Sequence, residues 1–217
     1  ALVRSEDKAR RLLGDGARLV QGDLRDVSSY ERHLRGADAL IHAGAVYGEY
    51  YRTQDGAAAN DTNVEGTTAL LAAADRHGID NVVYVSSSAV LAERDDEPTD
   101  ETCGYADHDE DAYFASKIAA ERAVRAFHEQ HPSMRLVMIL PSAMLGPGDA
   151  GPTPTGAFVL KLLRGEIRFV LPGVHRIVDA RDVAAATVAG LTRGRSGERY
   201  LVAGHTIPIG DVYRTLT

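Results

Sequence analysis

Short apolar runs alternate along this chain with longer segments in which apolar residues return every three or four positions. Ala1-Leu2-Val3 predicts a strand, and Glu6 to Leu13 follows it with helical periodicity. Ala17 to Gln21 predicts a second strand, Val27 to Leu34 a short helix, and Ala39 to His42 a third strand. Ala58 to His77 predicts a long helix, closed by Gly78 where a C-terminal cap belongs. Val82 to Val85 and Leu136 to Leu140 are apolar without alternation, so both strands are expected to be buried on two faces, as in a parallel sheet. Between them, Tyr113 to Gln130 predicts a helix that ends before Pro132. After Pro141 the pattern loosens into a Pro/Gly-rich stretch, Gly146 to Gly156. Beyond it come a helix (Ala157 to Leu163), a strand (Ile167 to Val170), a helix (Asp182 to Leu191), a strand (Tyr200 to Val202) and the start of a helix at Ile209.

Strand and helix in regular alternation predict an α/β fold with a doubly wound parallel sheet of Rossmann type. The expected division is a dinucleotide-binding core over 1–141 and a small C-terminal substrate lobe over 142–217, interleaved with the last core elements. Such a fold opens with a strand, a Gly-rich turn and a helix, and no segment here has the form G-x-x-G-x-x-G. The first residues look like the second strand of the sheet, and the last lie within a helical pattern. The chain therefore reads as truncated at both ends, with the first strand and its Gly-rich turn absent from it.

Composition changes this picture little. The formal charge of −7 is concentrated between Glu93 and Asp111, where ten carboxylates stand against Arg94 alone. The rest of the chain carries a small positive balance, and the acidic stretch is expected to be a solvated insertion. It lacks the spacing and central glycine of a calcium loop. No basic stripe points to nucleic acid, and no apolar run is long enough to span a bilayer. The single cysteine, Cys103, excludes an internal disulfide framework and fits a reducing compartment, so the chain reads as cytoplasmic. His128-Glu-Gln-His131 lacks a third ligand, so no metal is expected.

The candidate chemistry lies in two places. Tyr113 and Lys117 are four residues apart, hence on one helical face. Tyr113, Lys117, Ala120, Val124 and Phe127 form the stripe expected to face the sheet. A phenol with a pKa of ~10 is a poor acid or base at neutral pH. A nearby ammonium favours the phenolate and brings it toward useful strength. Alone, such a pair is a weak signal that chance also produces. Ser86-Ser87-Ser88 directly follows the strand at Val82 to Val85, at the carboxyl end of the sheet, where ligands bind in open α/β folds. Serines also simply terminate strands; coupled to Tyr113 on the next helix, a role in holding a substrate oxygen is the better reading.

With these stand Val20-Gln-Gly-Asp23-Leu24, His42-Ala-Gly-Ala45, Asn63-Val-Glu-Gly-Thr67, Pro141-Ser-Ala-Met-Leu-Gly-Pro-Gly148 and Val178-Asp-Ala-Arg-Asp-Val183. In this order they resemble the short-chain dehydrogenase/reductase superfamily. The closest likeness is to its extended branch, the NAD-dependent epimerase/dehydratase family, including reductases similar to dihydroflavonol reductase. The resemblance implies catalytic roles for Ser88, Tyr113 and Lys117. Ser88 would orient the substrate oxygen, Tyr113 would be the acid/base, and Lys117 would also hold the nicotinamide ribose. It implies that Asp23 and Leu24 flank the adenine and that Ala43, Gly44 and Ala45 line the cofactor. Asn63 would support the site through its helix, with Ser86, Pro141 and Ser142 also at the cofactor. Asp23 could equally cap a turn, and Asn63 could satisfy backbone.

Arg4 closes a strand at which NAD-binding proteins usually carry an acid, and an arginine there suits a 2′-phosphate. Lys8 and Arg11 follow on the next helix, so NADP is favoured over NAD, although Glu6 and Asp7 weaken the local field. The expected function is an NAD(P)-dependent oxidoreductase acting on a carbonyl or alcohol. A nucleotide-sugar epimerase or dehydratase with retained NAD is the alternative, and a non-catalytic NAD(P)-binding regulator the second. Leu140 stands where sugar-nucleotide relatives often carry an arginine before the proline, which leans toward the reductase. The expected partner is a small-molecule substrate, with a homodimer allowed and with neither nucleic acid nor membrane.

Overall fold

The computed structural model describes residues 1–47, 56–95, 97–107, 111–149, 153–167, 169 and 172–216. The chain opens with β1 (Leu2–Val3), α1 (Glu6–Leu13) and β2 (Val20–Gln21). Ser5 caps α1 by accepting from the Lys8 amide, and Gly14, at φ 56°, ends it. The helix expected over Val27 to Leu34 is instead two 3-10 turns, Val27–Ser29 and Glu31–His33. Asp26 caps the first, and Tyr30, at φ −132°, interrupts the helical path between them.

After β3 (Leu40–His42), the long predicted helix is present but not uniform. It runs as α2 (Gly56–Asn60), a π-helical turn (Asp61–Gly66) and α3 (Thr67–Arg76). At Gly66 the helix meets the Leu24 backbone so closely that a Cβ would lie 3.2 Å from the Leu24 carbonyl oxygen. Gly78, at φ 72°, follows its end as expected.

Then come β4 (Asn81–Val85), α4 (Ala112–Gln130), β5 (Arg135–Pro141) and β6 (Ala143–Leu145). The chain closes with α5 (Pro154–Leu163), β7 (Val174–Asp179), α6 (Ala180–Arg193), β8 (Arg199–Val202), β9 (His205–Pro208) and α7 (Ile209–Leu216). Ile167 and Phe169 are not in a strand, and the rest of that predicted strand includes positions outside the described residues. The strand of this region is β7, whose exposed and half-buried residues mix with polar ones and give no continuous apolar run.

β3, β4, β5 and β8 form a four-stranded parallel sheet in that order. The unbroken apolar runs of β4 and β5 have the expected cause, because both faces are covered. Val82, Tyr84, Leu136, Met138 and Leu140 pack with Leu71 of α3 and with Ile118, Val124 and Phe127 of α4. Val83, Val137 and Ile139 face the other way, with Leu191 of α6 packed against them. Burying such side chains stabilises by about 1.5–3 kcal/mol each. Arg135 locks α6 to the sheet by donating to the carbonyls of Gly190 and Leu191 at its last turn.

β1 and β2 form a separate parallel pair, and among the described residues no strand joins β1 to β3. Between them lies a cleft of about 670 Å³. A third sheet, β6-β7-β9, stands beyond the end of β5, with β6 parallel and β9 antiparallel to β7.

The acidic stretch is docked rather than merely solvated. Its carboxylates are mostly exposed, but Tyr105 bridges Leu91, Glu101 accepts from the Leu201 amide, and Cys103 is buried. The Tyr105 ring lies between the guanidinium groups of Arg122 and Arg199, at 4.8 and 4.9 Å. Asp96, Asp109 and Glu110 lie outside the described residues.

Candidate active site

Asp111 starts α4 by accepting from the amides of Tyr113 (2.9 Å) and Phe114 (3.2 Å), which places Tyr113 in the first helical turn. Tyr113 is 8% exposed, with its ring 4.9 Å from that of Tyr47. Every member of the predicted stripe, from Tyr113 through Lys117, Ala120, Val124 and Phe127, is buried. Lys117 therefore carries its ammonium into the protein. It donates to the Val85 carbonyl at 3.2 Å and lies 3.5 Å from the Tyr84 hydroxyl. Burial pulls the Lys117 ammonium down to about 8, and the charge of Glu121 opposes the shift.

Two buried polar networks hold this helix. In the first, Asn63 in the π-helical turn accepts from the Val46 amide at 2.8 Å and donates to the Val46 carbonyl and, at 3.0 Å, to Ser116 Oγ. Ser116 in turn donates to the Tyr113 carbonyl. Asn63 thus ties the segment after β3 to the turn that carries Tyr113.

The second network centres on Glu121, which sequence reasoning missed. Glu121 is fully buried one turn beyond Lys117, accepting from Ser86 Oγ. Its other oxygen faces Arg199 Nε at 3.2 Å in ion-pair contact, without hydrogen-bond alignment. Burial pushes its carboxyl up, while the Ser86 hydroxyl and the charges of Arg199, Arg125 and Lys117 counter that. The signal available in sequence was its i+4 spacing from Lys117 on the same buried face.

The three serines go to different places. Ser86 is 5% exposed and committed to Glu121, so its hydroxyl is not open to a cofactor as expected. Ser87 caps a short 3-10 turn, Ser88–Val90, by accepting from the Ala89 amide. Ser88 is half-buried and lines a second cleft of about 800 Å³ with Phe114, the neighbour of Tyr113, and Ser142. Pro141 ends β5, and Ser142 donates its hydroxyl to the Ala203 carbonyl.

Arg4, Asp23, Leu24, Ala43, Gly44 and Ala45 all line the first cleft, at the carboxyl ends of β1, β2 and β3. Asp23 is held by Arg25, whose backbone and guanidinium both donate to it, and that bonding lowers its carboxyl to about 2. It is thus a turn-forming, neutralised carboxylate rather than an open acceptor. Gly44 lets Leu24 close over the cleft, since a Cβ there would lie 3.1 Å from Leu24 Cδ1. Arg4 is the one arginine among the residues lining this cleft, which runs along the apolar residues of β1 and β3. His42 is buried against Thr67 at 2.8 Å, and burial lowers it to about 3, so it is a neutral core histidine.

Among the described residues no group of three or more histidine, cysteine or carboxylate side chains is placed to hold a metal. None of the described helices is long and apolar enough to cross a membrane. A profile described as the NAD dependent epimerase/dehydratase family matches residues 1–203. A protein of Synechocystis sp., provisionally named dihydroflavonol 4-reductase, is 32% identical over all of this chain and 64% of its own length. The crystal structure of gox2253 matches with a TM-score of 0.89 and 32% identity, over 99% of this chain and 65% of that one. A double mutant of the dTDP-glucose 4,6-dehydratase DesIV of Streptomyces venezuelae, solved with NAD bound, matches with a TM-score of 0.82 and 26% identity, over 98% of this chain and 66% of its own. The chain thus spans about two thirds of the length of these relatives.

Proposed function

The chain belongs to the NAD dependent epimerase/dehydratase family, and from that premise we propose that the protein is an NAD(P)-dependent reductase of a carbonyl substrate. The observation that carries the reading is the buried Lys117 ammonium one helical turn from Tyr113, at the end of β4. A charge buried at such cost is retained for a use, and its use here is to support a phenol that exchanges a proton. When bound, the nicotinamide would supply the hydride. In reduction Tyr113 gives its phenolic proton to the substrate oxygen, and in alcohol oxidation it takes one back. Ser88, which lines the second cleft, would hydrogen-bond the same oxygen, and Asn63 keeps the first turn of α4 in place.

The character of the second cleft favours a reductase over a nucleotide-sugar enzyme. Ala89, Leu91, Ala92, Phe114 and Leu201 supply apolar wall, beside the carboxylates of Glu93, Glu97 and Asp107. Both arginines that line it are engaged, Arg176 with Glu93 at 2.8 Å and Arg94 with Asp100 at 3.4 Å. A diphosphate entering there would have to displace those carboxylates. Arg4 at the first cleft supports NADP as the preferred cofactor. Residues 142–217 act in this reading as a substrate lobe, and a soluble cytoplasmic enzyme fits it.

The test is net consumption of NADPH with a panel of flavonoid, steroid and alkyl ketones. Consumption with release of NADP supports the reductase. A cofactor that stays bound through purification, with no net consumption and with turnover of a sugar nucleotide, would establish the epimerase or dehydratase reading instead.

A further inference from the structure

Lys117 and Glu121, four residues apart on α4, grip consecutive residues at the end of β4. The Lys117 ammonium binds the Val85 carbonyl, and the Glu121 carboxylate receives the Ser86 hydroxyl. These two rungs fix the helix in register with the strand that leads to Ser88. Glu121 itself has no access to solvent. Placing a carboxylate there is costly unless its charge is answered, and the answer comes from three elements. Arg199 approaches from β8, Lys117 and Arg125 from α4, and Ser86 from just past β4. The buried Tyr105 hydroxyl lies in the field of the same carboxylate. Around Lys117 the remaining titratable neighbours are Tyr84 of β4, His42 of β3 and Tyr113 of its own helix. None of these is a carboxylate, His42 is neutral and Tyr84 is held neutral by burial, so Glu121 is the carboxylate at hand.

We infer that Glu121 is a positioning residue of the reaction centre, supplying the counter-charge that keeps the buried Lys117 an ammonium while Ser86 and Arg199 hold that carboxylate in place. The inference rests on the reading that Lys117 serves Tyr113, but its physical content concerns two residues of this chain alone. A purely structural brace between α4, β4 and β8 would need the shape and hydrogen bonds of Glu121 and not its charge.

Glu121→Gln separates the two, because it keeps the shape and can still accept from Ser86. The readout is the titration of Lys117 followed by its Cε resonance in protein labelled with ¹³C-lysine. The sequence has only Lys8, Lys117 and Lys161, and Lys8 and Lys161 are exposed, so they serve as internal references. The Lys117 midpoint is expected to fall by about one pH unit or more in E121Q, a tenfold change in its acid dissociation constant. A folded E121Q protein with an unmoved midpoint would overturn the proposal, whatever happened to its melting temperature. If E121Q does not fold, Glu121→Asp keeps the charge but withdraws it by one methylene; a midpoint below wild type is then expected, and equality with wild type overturns the proposal. No substrate enters this measurement, so a failure of the reductase reading leaves it readable.

Discussion

Lys117 is the residue whose environment most constrains how this protein responds to pH. Below about pH 8 it is charged both folded and unfolded, and the folded state bears the cost of burying the charge. Between about 8 and the ordinary 10.5 the folded protein has lost a proton that the unfolded chain still holds, so stability rises with pH over that window. Above pH ~10 the tyrosines reverse the trend, because burial pushes Tyr30 up to about 12 and raises Tyr84 further. The shift at Lys117 corresponds to a cost of up to roughly 3 kcal/mol near neutral pH. Lys117→Met is therefore expected to raise the melting temperature at pH 7, to lose that advantage toward pH 10, and to be inactive at both. Thermal unfolding at the two pH values checks this, and a Met variant less stable than wild type at pH 7 would contradict it.

At the scale of elements, the π-helical turn at Asp61–Gly66 matters because it delivers Asn63 to two partners at once. Asn63→Ala leaves the Val46 amide and carbonyl without their side-chain partner and Ser116 without a donor. A loss of about 2–3 kcal/mol is expected by chemical denaturation, with a fall in turnover because the first turn of α4 is no longer held. A variant with wild-type stability would contradict the network. This element also shows how far sequence reading reaches. The buried stripe of α4 was legible because spacing by three and four writes a helix face directly into the chain, and Gly78 marks a helix end by local chemistry alone. The π turn was not legible, since its residues carry the same apolar spacing as the α-helical turns on either side of it. Glu121 is marked in the sequence only by its i+4 spacing from Lys117, while the partner that makes its burial tolerable, Arg199, arrives from β8. β7 and β9 escaped because strands of a small, partly exposed sheet carry too little apolar pattern.

At the scale of the whole molecule, two clefts stand out among the described residues. The first gathers strand ends β1, β2 and β3 around Arg4, Asp23 and Leu24, and the second joins Ser88 to the docked acidic segment and the outer sheet. The parallel core was legible from the unbroken runs of β4 and β5, whereas the docking of the acidic segment was not, because its carboxylates alone predict solvation. Arg4→Ala is expected to weaken NADPH binding by about tenfold or more, the worth of a charge-assisted hydrogen bond, while leaving NADH nearly unchanged. Cofactor titration by fluorescence checks this, and equal losses for both cofactors would remove Arg4 from the choice between them.

The central claim is that Tyr113 transfers the proton. Tyr113→Phe removes one hydroxyl and keeps the ring against Tyr47 and Phe114. With an active carbonyl substrate, kcat is predicted to fall by about 10²-fold or more, with the cofactor dissociation constant unchanged. Turnover equal to that of the wild-type protein would contradict the account.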